Sequence, residues 1–182
     1  PRAAATRIMA LNLSRDWLWQ ALALLSIFNA IVFALSMAAS GPIDPEAELL
    51  IPAAFQSPVL MTLFLIGALV VTVLTLTWVG QAMGGRGQIR DILVLIVWLQ
   101  VLRLMLQGVM LILVLVMPAL GGILAMVASI WGLAILVCFI DRAHGFDSLF
   151  KAAGALVLCV VAMVLGLSAI LGVLMAAVMG GA

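Results

Sequence analysis

The sequence is dominated by five uninterrupted apolar runs, each about twenty residues long or longer. A helix rises about 1.5 Å per residue, so about twenty apolar residues cross the roughly 30 Å hydrocarbon core of a bilayer. The strands of a membrane β-barrel would instead alternate apolar and polar residues over about ten positions. The pattern therefore predicts an all-α, polytopic membrane bundle of five transmembrane helices. We place these helices at 17–39, 58–80, 92–117, 119–140 and 148–178.

The composition agrees with a membrane environment. Of the 182 residues, 68% are apolar and 8% are charged, and the mean hydropathy is +1.42. A typical soluble domain has about a quarter of its residues charged and could not bury so much apolar surface. We therefore expect one membrane domain over residues 1–182. The few basic residues are scattered, so the sequence predicts no nucleic-acid partner.

A short segment precedes the first long run, and it mixes apolar residues with arginines. Such a segment is typical of an interfacial helix that lies along the membrane surface. Arg2 and Arg7 would then face water and headgroups. A frayed terminus is the alternative. The apolar residues expected to face lipid are Ile8, Met9, Leu11 and Leu13.

The basic residues predict the orientation of the bundle. Seven of the eight lie in three regions that five crossings put on one side: Arg2, Arg7 and Arg15, then Arg86 and Arg90, then Arg142 and Lys151. The other side receives the acidic 40–57 loop, the Pro118 turn and the C-terminus. Because cytoplasmic loops carry an excess of Lys and Arg, we expect the N-terminus in the cytoplasm and the C-terminus outside.

Small residues recur at every fourth position in three of the helices. Helices in lipid associate where small side chains let their backbones approach closely. These stripes therefore predict packing within the bundle or against another chain, and the sequence leaves both open. The packing positions are Ala30 and Ala34 in the first helix, Gly121 and Ala125 in the fourth, and Gly172 and Ala176 in the fifth.

Arg103 is the single basic residue inside an apolar run, near the middle of the third helix. Gln100 and Gln107 are three and four residues away, so the three side chains should share one face. No Asp or Glu lies inside any predicted helix core, and a membrane-embedded arginine without a partner is costly. One interpretation is a structural arginine that snorkels or bonds to nearby hydroxyls and amides. The other is a contact with a partner subunit, an acidic lipid or an anionic ligand. The candidate local partners are Asn29, Thr72 and Thr75.

The sequence contains no pattern typical of a catalytic or metal centre. His144 is the only histidine, and with Asp141 and Asp147 we expect it in a solvated loop rather than in a metal site. Ser129 and Ser168 have no histidine in the membrane to activate them. The sequence thus predicts no enzyme activity, no metal and no cofactor.

Three short segments resemble bacterial members of the YIP1 family. They are the amphipathic lead-in at residues 1–7, the glycine-rich turn at residues 84–87, and His144-Gly145-Phe146 followed by Lys151-Ala152. The resemblance covers nearly the whole chain, although Arg103 and its two glutamines depart from the apolar segment expected in the third helix. It implies five membrane helices, a cytoplasmic N-terminus and a non-enzymatic protein that acts through partners. It also implies the bacterial cytoplasmic membrane.

Together these features predict a non-catalytic membrane scaffold, or an accessory subunit of a larger membrane complex. Its expected partners are membrane lipids and either other membrane subunits or a second copy of the chain. The alternative is a small transporter or channel for an anionic or lipid-like solute. Transport coupled to protons or cations usually uses membrane-embedded acids, and the predicted helices contain none.

Overall fold

A computed structural model describes the backbone of residues 2–39 and 57–180, and it describes side-chain surroundings at 2–38, 57–113, 116–117 and 121–169. Over these residues the protein is helical, and the five predicted membrane helices are confirmed. A short helix precedes them. The elements are α1 (Arg2–Met9), α2 (Arg15–Ala39), α3 (Pro58–Ala82), α4 (Ile89–Val116), α5 (Pro118–His144) and α6 (Leu149–Gly180).

Serine side chains cap the starts of three helices. Ser14 Oγ accepts from the Trp17 amide at the start of α2, and Ser57 Oγ accepts from the Leu60 amide at the start of α3. At the start of α6, Ser148 Oγ accepts from the Lys151 amide. A side-chain oxygen at these positions satisfies amides that have no partner within the helix.

The end of α5 differs from the prediction. We expected the fourth helix to end at residue 140 and a polar loop to follow. Instead, Asp141 to His144 form the last turn of α5, and the helix stops at Gly145, whose φ of 63° is left-handed. Glycine adopts that conformation without steric cost and commonly ends helices. The turn at Pro118 is tight, as predicted, because a single residue, Met117, links the end of α4 to Pro118 at the start of α5.

The turn between α3 and α4 is built by glycines. Gly84 has a φ of 88°, and its amide donates to the Gln81 carbonyl at 2.9 Å. The Gly85 amide donates to the Gly80 carbonyl at 2.8 Å. These two bonds form a Schellman motif, which satisfies the last carbonyls of α3 and reverses the chain. As a result α4 begins at Ile89, earlier than the predicted residue 92.

The buried core lies in the half of the bundle next to α1. Residues 92–97 in the first turns of α4 are all buried, which makes α4 the central helix at this end. The start of α2, the end of α3, the end of α5 and the start of α6 pack around it. The other half of α4 exposes several large apolar side chains. They are Leu102, Met105, Val109, Ile112 and Val116.

Helix α1 docks on the core end of the bundle. Ala5 is fully buried, Arg2 forms an ion pair of 2.7 Å with Asp141, and Arg142 Nε donates to Thr6 Oγ1 at 2.9 Å. Farther along, Arg90 donates a hydrogen bond to the side chain of Asn12. The three basic regions therefore meet at one end of the bundle. The lipid-facing placement was wrong for three of the four apolar residues, because Ile8, Met9 and Leu13 pack against the core, while Leu11 is exposed.

Candidate functional site

An open groove of about 840 Å³ lies between α4 and α5, beyond the well-packed end of the bundle. The α4 wall contributes mainly leucines together with Arg103 and Gln107, and the α5 wall contributes small and large apolar residues. Because α4 and α5 are antiparallel neighbours joined by one residue, the level of Arg103 on α4 corresponds to the neighbourhood of Trp131 on α5. The groove is therefore an apolar, laterally open surface with one cationic group at mid-helix.

The Arg103 side chain is exposed in this groove. It forms no ion pair or hydrogen bond with any residue that the structure describes. Of the local partners considered from the sequence, Asn29 Nδ2 donates to the Leu25 carbonyl at 2.8 Å and Thr72 Oγ1 donates to the Ala68 carbonyl at 2.7 Å, and neither side chain accepts from Arg103. The guanidinium therefore has five donors free for a ligand.

The structure separates the two glutamines that flank Arg103. Gln107 lines the groove, and its Oε1 atom is buried with no donor among the described residues. Gln100 is only 6% exposed and does not line the groove, because it lies on the side of α4 that faces the bundle interior. The candidate contact surface thus keeps Arg103 and Gln107 and loses Gln100.

The α5 wall of the groove has the small residues that allow a close approach. Ala125 and Ser129 are exposed, and a Cβ added at Gly132 would meet no atom within 4 Å. The Ser129 hydroxyl donates to the Ala125 carbonyl at 2.8 Å, so its proton is already used. Gly121, by contrast, is buried. This part of the α5 stripe faces outward rather than into the bundle.

The other two stripes have different positions. In α2, Ser26 and Ala30 are each 1% exposed and Ala34 is half-buried, so this stripe packs inside the bundle. Gly172 and Ala176 lie outside the residues whose side-chain surroundings are described. The α2 stripe therefore packs within the bundle, and the part of the α5 stripe at Ala125 and Ser129 is exposed.

A second cluster, which sequence reasoning missed, surrounds His144. We expected a solvated loop residue, but His144 is 1% exposed. Three glycines from the α3–α4 turn enclose its ring. A Cβ at Gly80 would overlap Nε2 of the imidazole. A Cβ at Gly85 would lie 2.7 Å from His144 Cβ, and a Cβ at Gly87 would lie 2.9 Å from His144 Cδ2. The ring thus fills a space that exists because these side chains are absent.

The hydrogen bonds of His144 connect two turns of the chain. Its carbonyl accepts from the Arg86 amide at 3.0 Å, and its Nδ1 lies 3.2 Å from the Ile140 carbonyl. The ring stacks on Phe146 with centroids 5.2 Å apart. The Nε2 atom is buried and has no partner among the described residues. We interpret this cluster as a structural junction that joins the end of α5 to the α3–α4 turn.

The described residues offer little for catalysis. They contain no group of three or more His, Cys, Asp or Glu side chains placed to hold a metal ion. Ser129 and His144 share α5 but are about 22 Å apart along its axis, at 1.5 Å per residue, so they cannot act as a nucleophile and base. The groove can instead hold an apolar ligand that carries a negative charge.

Comparison with known proteins gives one match. A family model described as the Yip1 domain matches residues 1–179, which is nearly the whole chain. No curated protein and no solved structure matches the chain significantly.

Proposed function

The chain belongs to the Yip1 family, and on that premise we propose that it is a non-catalytic membrane protein that binds another membrane protein, as a scaffold or an accessory subunit. The main observation behind this proposal is Arg103, which pairs with no described residue and lies in an open, apolar groove between α4 and α5. The resemblance read from the short motifs is confirmed by the family match.

The energetics of the groove support a partner. A charged side chain at the centre of a membrane helix costs about 2.5–3.5 kcal/mol on insertion scales. A partner that pairs with the guanidinium offsets this cost, and the small residues of the α5 wall let a second backbone come close. Without a partner, nothing among the described residues would offset the free-energy cost of placing Arg103 in the membrane.

Two glycine substitutions provide a matched test. Gly132→Leu fills the groove, whereas Gly166→Leu adds the same side chain to α6, where a Cβ also meets no atom within 4 Å. We expect the wild type and Gly166→Leu to copurify with a stoichiometric membrane protein after gentle extraction from native membranes. Gly132→Leu should lose that protein while keeping its own yield and thermal stability.

Two results would count against the scaffold proposal. One is a wild-type protein that remains a solitary monomer in native lipid. The other is equal loss of the partner in the Gly132→Leu and Gly166→Leu variants, because the groove would then have no special role.

A solute is the second candidate occupant, because a groove with apolar walls and one cation also suits an anionic or lipid-like molecule. Purified protein in liposomes should then move such a solute across the bilayer. Flux that is unchanged by Arg103→Ala would remove this candidate.

We also propose the cytoplasmic N-terminus and a location in the bacterial cytoplasmic membrane, with α1 in the inner headgroup region. The clustering of the basic residues at the α1 end supports this orientation. A cysteine introduced at the exposed Ala4 should react with a membrane-impermeant maleimide in inverted vesicles and not in right-side-out spheroplasts. The reverse labelling would overturn the orientation.

A further inference from the structure

Resting on the proposed function, we infer that the groove between α4 and α5 receives a transmembrane helix of a different protein, and that this helix carries a carboxylate near the middle of the bilayer that pairs with Arg103. The inference depends on three features of the molecule: the depth of Arg103, the positions of the acids in this chain, and the unsatisfied groups of the groove.

The depth of Arg103 favours a protein carboxylate over a lipid phosphate. Arg103 lies at the middle of α4 (Ile89–Val116), about 20 Å from either end at 1.5 Å per residue. The headgroups begin about 15 Å from the centre of a bilayer with a 30 Å hydrocarbon core. That distance is well beyond the length of an arginine side chain. An acid on a neighbouring helix can be placed at the same depth as the guanidinium.

The acids of this chain argue against a second copy as the occupant. The chain has seven Asp and Glu residues. Four of them are described, and all four stand in turns or at helix ends, namely Asp16, Asp91, Asp141 and Asp147. The other three, Asp44, Glu46 and Glu48, fall between α2 and α3 in the sequence. The described membrane helices of a second copy would therefore bring no carboxylate to the level of Arg103.

The polar groups of the groove specify what the partner helix should present. Arg103 can donate two hydrogen bonds to one carboxylate, which is the strongest pairing available to it. Gln107 lies one turn away on the same wall, but its Oε1 is buried within this chain and is out of reach of a partner. A partner helix with a single Asp or Glu would therefore satisfy the guanidinium. A helix also keeps its own backbone hydrogen bonds inside the membrane.

Designed peptides test the inference without the natural partner. Three Leu/Ala transmembrane helices of about 23 residues differ only at the central position, which is Glu, Gln or Leu. Each carries a dansyl group and is mixed with the full chain in phosphatidylcholine vesicles at pH 8. Energy transfer from the tryptophans of the chain to dansyl reports association.

We expect the Glu peptide to bind about tenfold more tightly than the Gln peptide, with the Leu peptide weakest. Arg103→Leu should abolish the advantage of Glu over Gln, and Arg103→Lys should keep most of it. Gly132→Leu should reduce binding of the Glu peptide, and Gly166→Leu should not. Equal binding of the Glu and Leu peptides, or a Glu advantage that survives Arg103→Leu, would overturn the inference.

Two further arms separate the other possible occupants. Replacing a third of the lipid by phosphatidylglycerol should leave binding of the Glu peptide unchanged, and displacement of the peptide would assign Arg103 to an anionic headgroup instead. The triple variant D44N/E46Q/E48Q should bind like the wild type, whereas tighter binding would mean that an acid of this chain already occupies the groove. If the native partner is lost in Gly132→Leu but kept in Arg103→Leu, the pairing of Arg103 with a carboxylate is wrong, whereas the proposed scaffold function is still supported.

Discussion

Adding a single methyl group at Gly80 should destabilise the protein, although the same change usually stabilises a helix. Gly80 lies in the last turns of α3, and its missing Cβ leaves the space that the imidazole of His144 occupies. His144 cannot move aside easily, because its ring is buried, stacked on Phe146 and close to the Ile140 carbonyl. Gly80→Ala therefore forces the end of α5 away from the α3–α4 turn.

The magnitude follows from two opposing effects. Replacing Gly by Ala inside a helix ordinarily stabilises by up to about 1 kcal/mol. Overpacking of a filled site costs about 1–3 kcal/mol. Gly67 provides the matched control, since it lies in the same helix and a Cβ there meets no atom within 4 Å. The helix gain is common to both variants, so we expect Gly80→Ala to be less stable than Gly67→Ala by the overpacking cost of about 1–3 kcal/mol.

The assay is unfolding by SDS titration in mixed micelles, followed by the intrinsic fluorescence of the five tryptophans. In a His144→Ala background, adding Gly80→Ala should cost little further stability, because the clash needs both side chains. If Gly80→Ala unfolds at the same SDS fraction as Gly67→Ala, His144 does not depend on the space at Gly80. The same conclusion would follow if the stability losses of Gly80→Ala and His144→Ala simply add in the double variant.

Three smaller predictions concern the end of the bundle where α1 docks. Arg2→Ala should lower the free energy of docking of α1 by about 1 kcal/mol or less, because the Arg2 side chain in the ion pair is half exposed. A cysteine placed at the buried Ala5 should then react faster with a maleimide. Arg7→Ala should leave that rate unchanged, because the Arg7 side chain is exposed and forms no ion pair or hydrogen bond with the described residues. Ser148→Ala should cost about 1 kcal/mol in SDS titration through the lost cap of α6, and a cost near zero would contradict the capping role.

The five membrane helices could be predicted because hydrocarbon imposes a simple requirement. Each helix needs about twenty apolar residues, and the five runs meet that length without ambiguity. Helix ends were less predictable, since a helix can continue through polar residues once it leaves the hydrocarbon. Asp141 is the example: it continues α5 because its carboxylate is buried between Arg2 and the Ser148 amide, which are contacts that no sequence pattern shows.

The glycine–histidine junction was missed for a related reason. The sequence shows four glycines in or near the α3–α4 turn, and turn chemistry alone explains Gly84, whose φ is positive. Gly80, Gly85 and Gly87 have no such conformation and are needed for space around a ring that is distant in sequence. The segment contains more glycines than the turn requires, and extra glycines of this kind indicate a close approach by another part of the chain.

The Arg103 site was partly accessible from the sequence. A charge in an apolar run marks a site by its cost alone, and the absence of acids in the helix cores indicated that no carboxylate would pair with it. The sequence predicted Gln100 and Arg103 on one face of α4 and could not show which side of the helix faces outward. The tertiary packing decides this, since Gln100 is buried and Arg103 is exposed.

These two halves suggest a division of roles. The closed half, with α1, the His144 junction and the Arg2–Asp141 ion pair, holds the fold together. The open half presents the groove, with small residues on one wall and, on the other, a guanidinium that pairs with no described residue. A substitution in the closed half should therefore alter stability first, and a substitution in the groove should alter partner binding first.

The most direct measurement is a map of the protein extracted with its native lipid and partners, at a resolution that shows side chains between α4 and α5. We expect a helix of another protein in the groove, with a carboxylate within hydrogen-bond distance of the Arg103 guanidinium. A groove that holds only lipid acyl chains, with Arg103 turned toward headgroups, would contradict it.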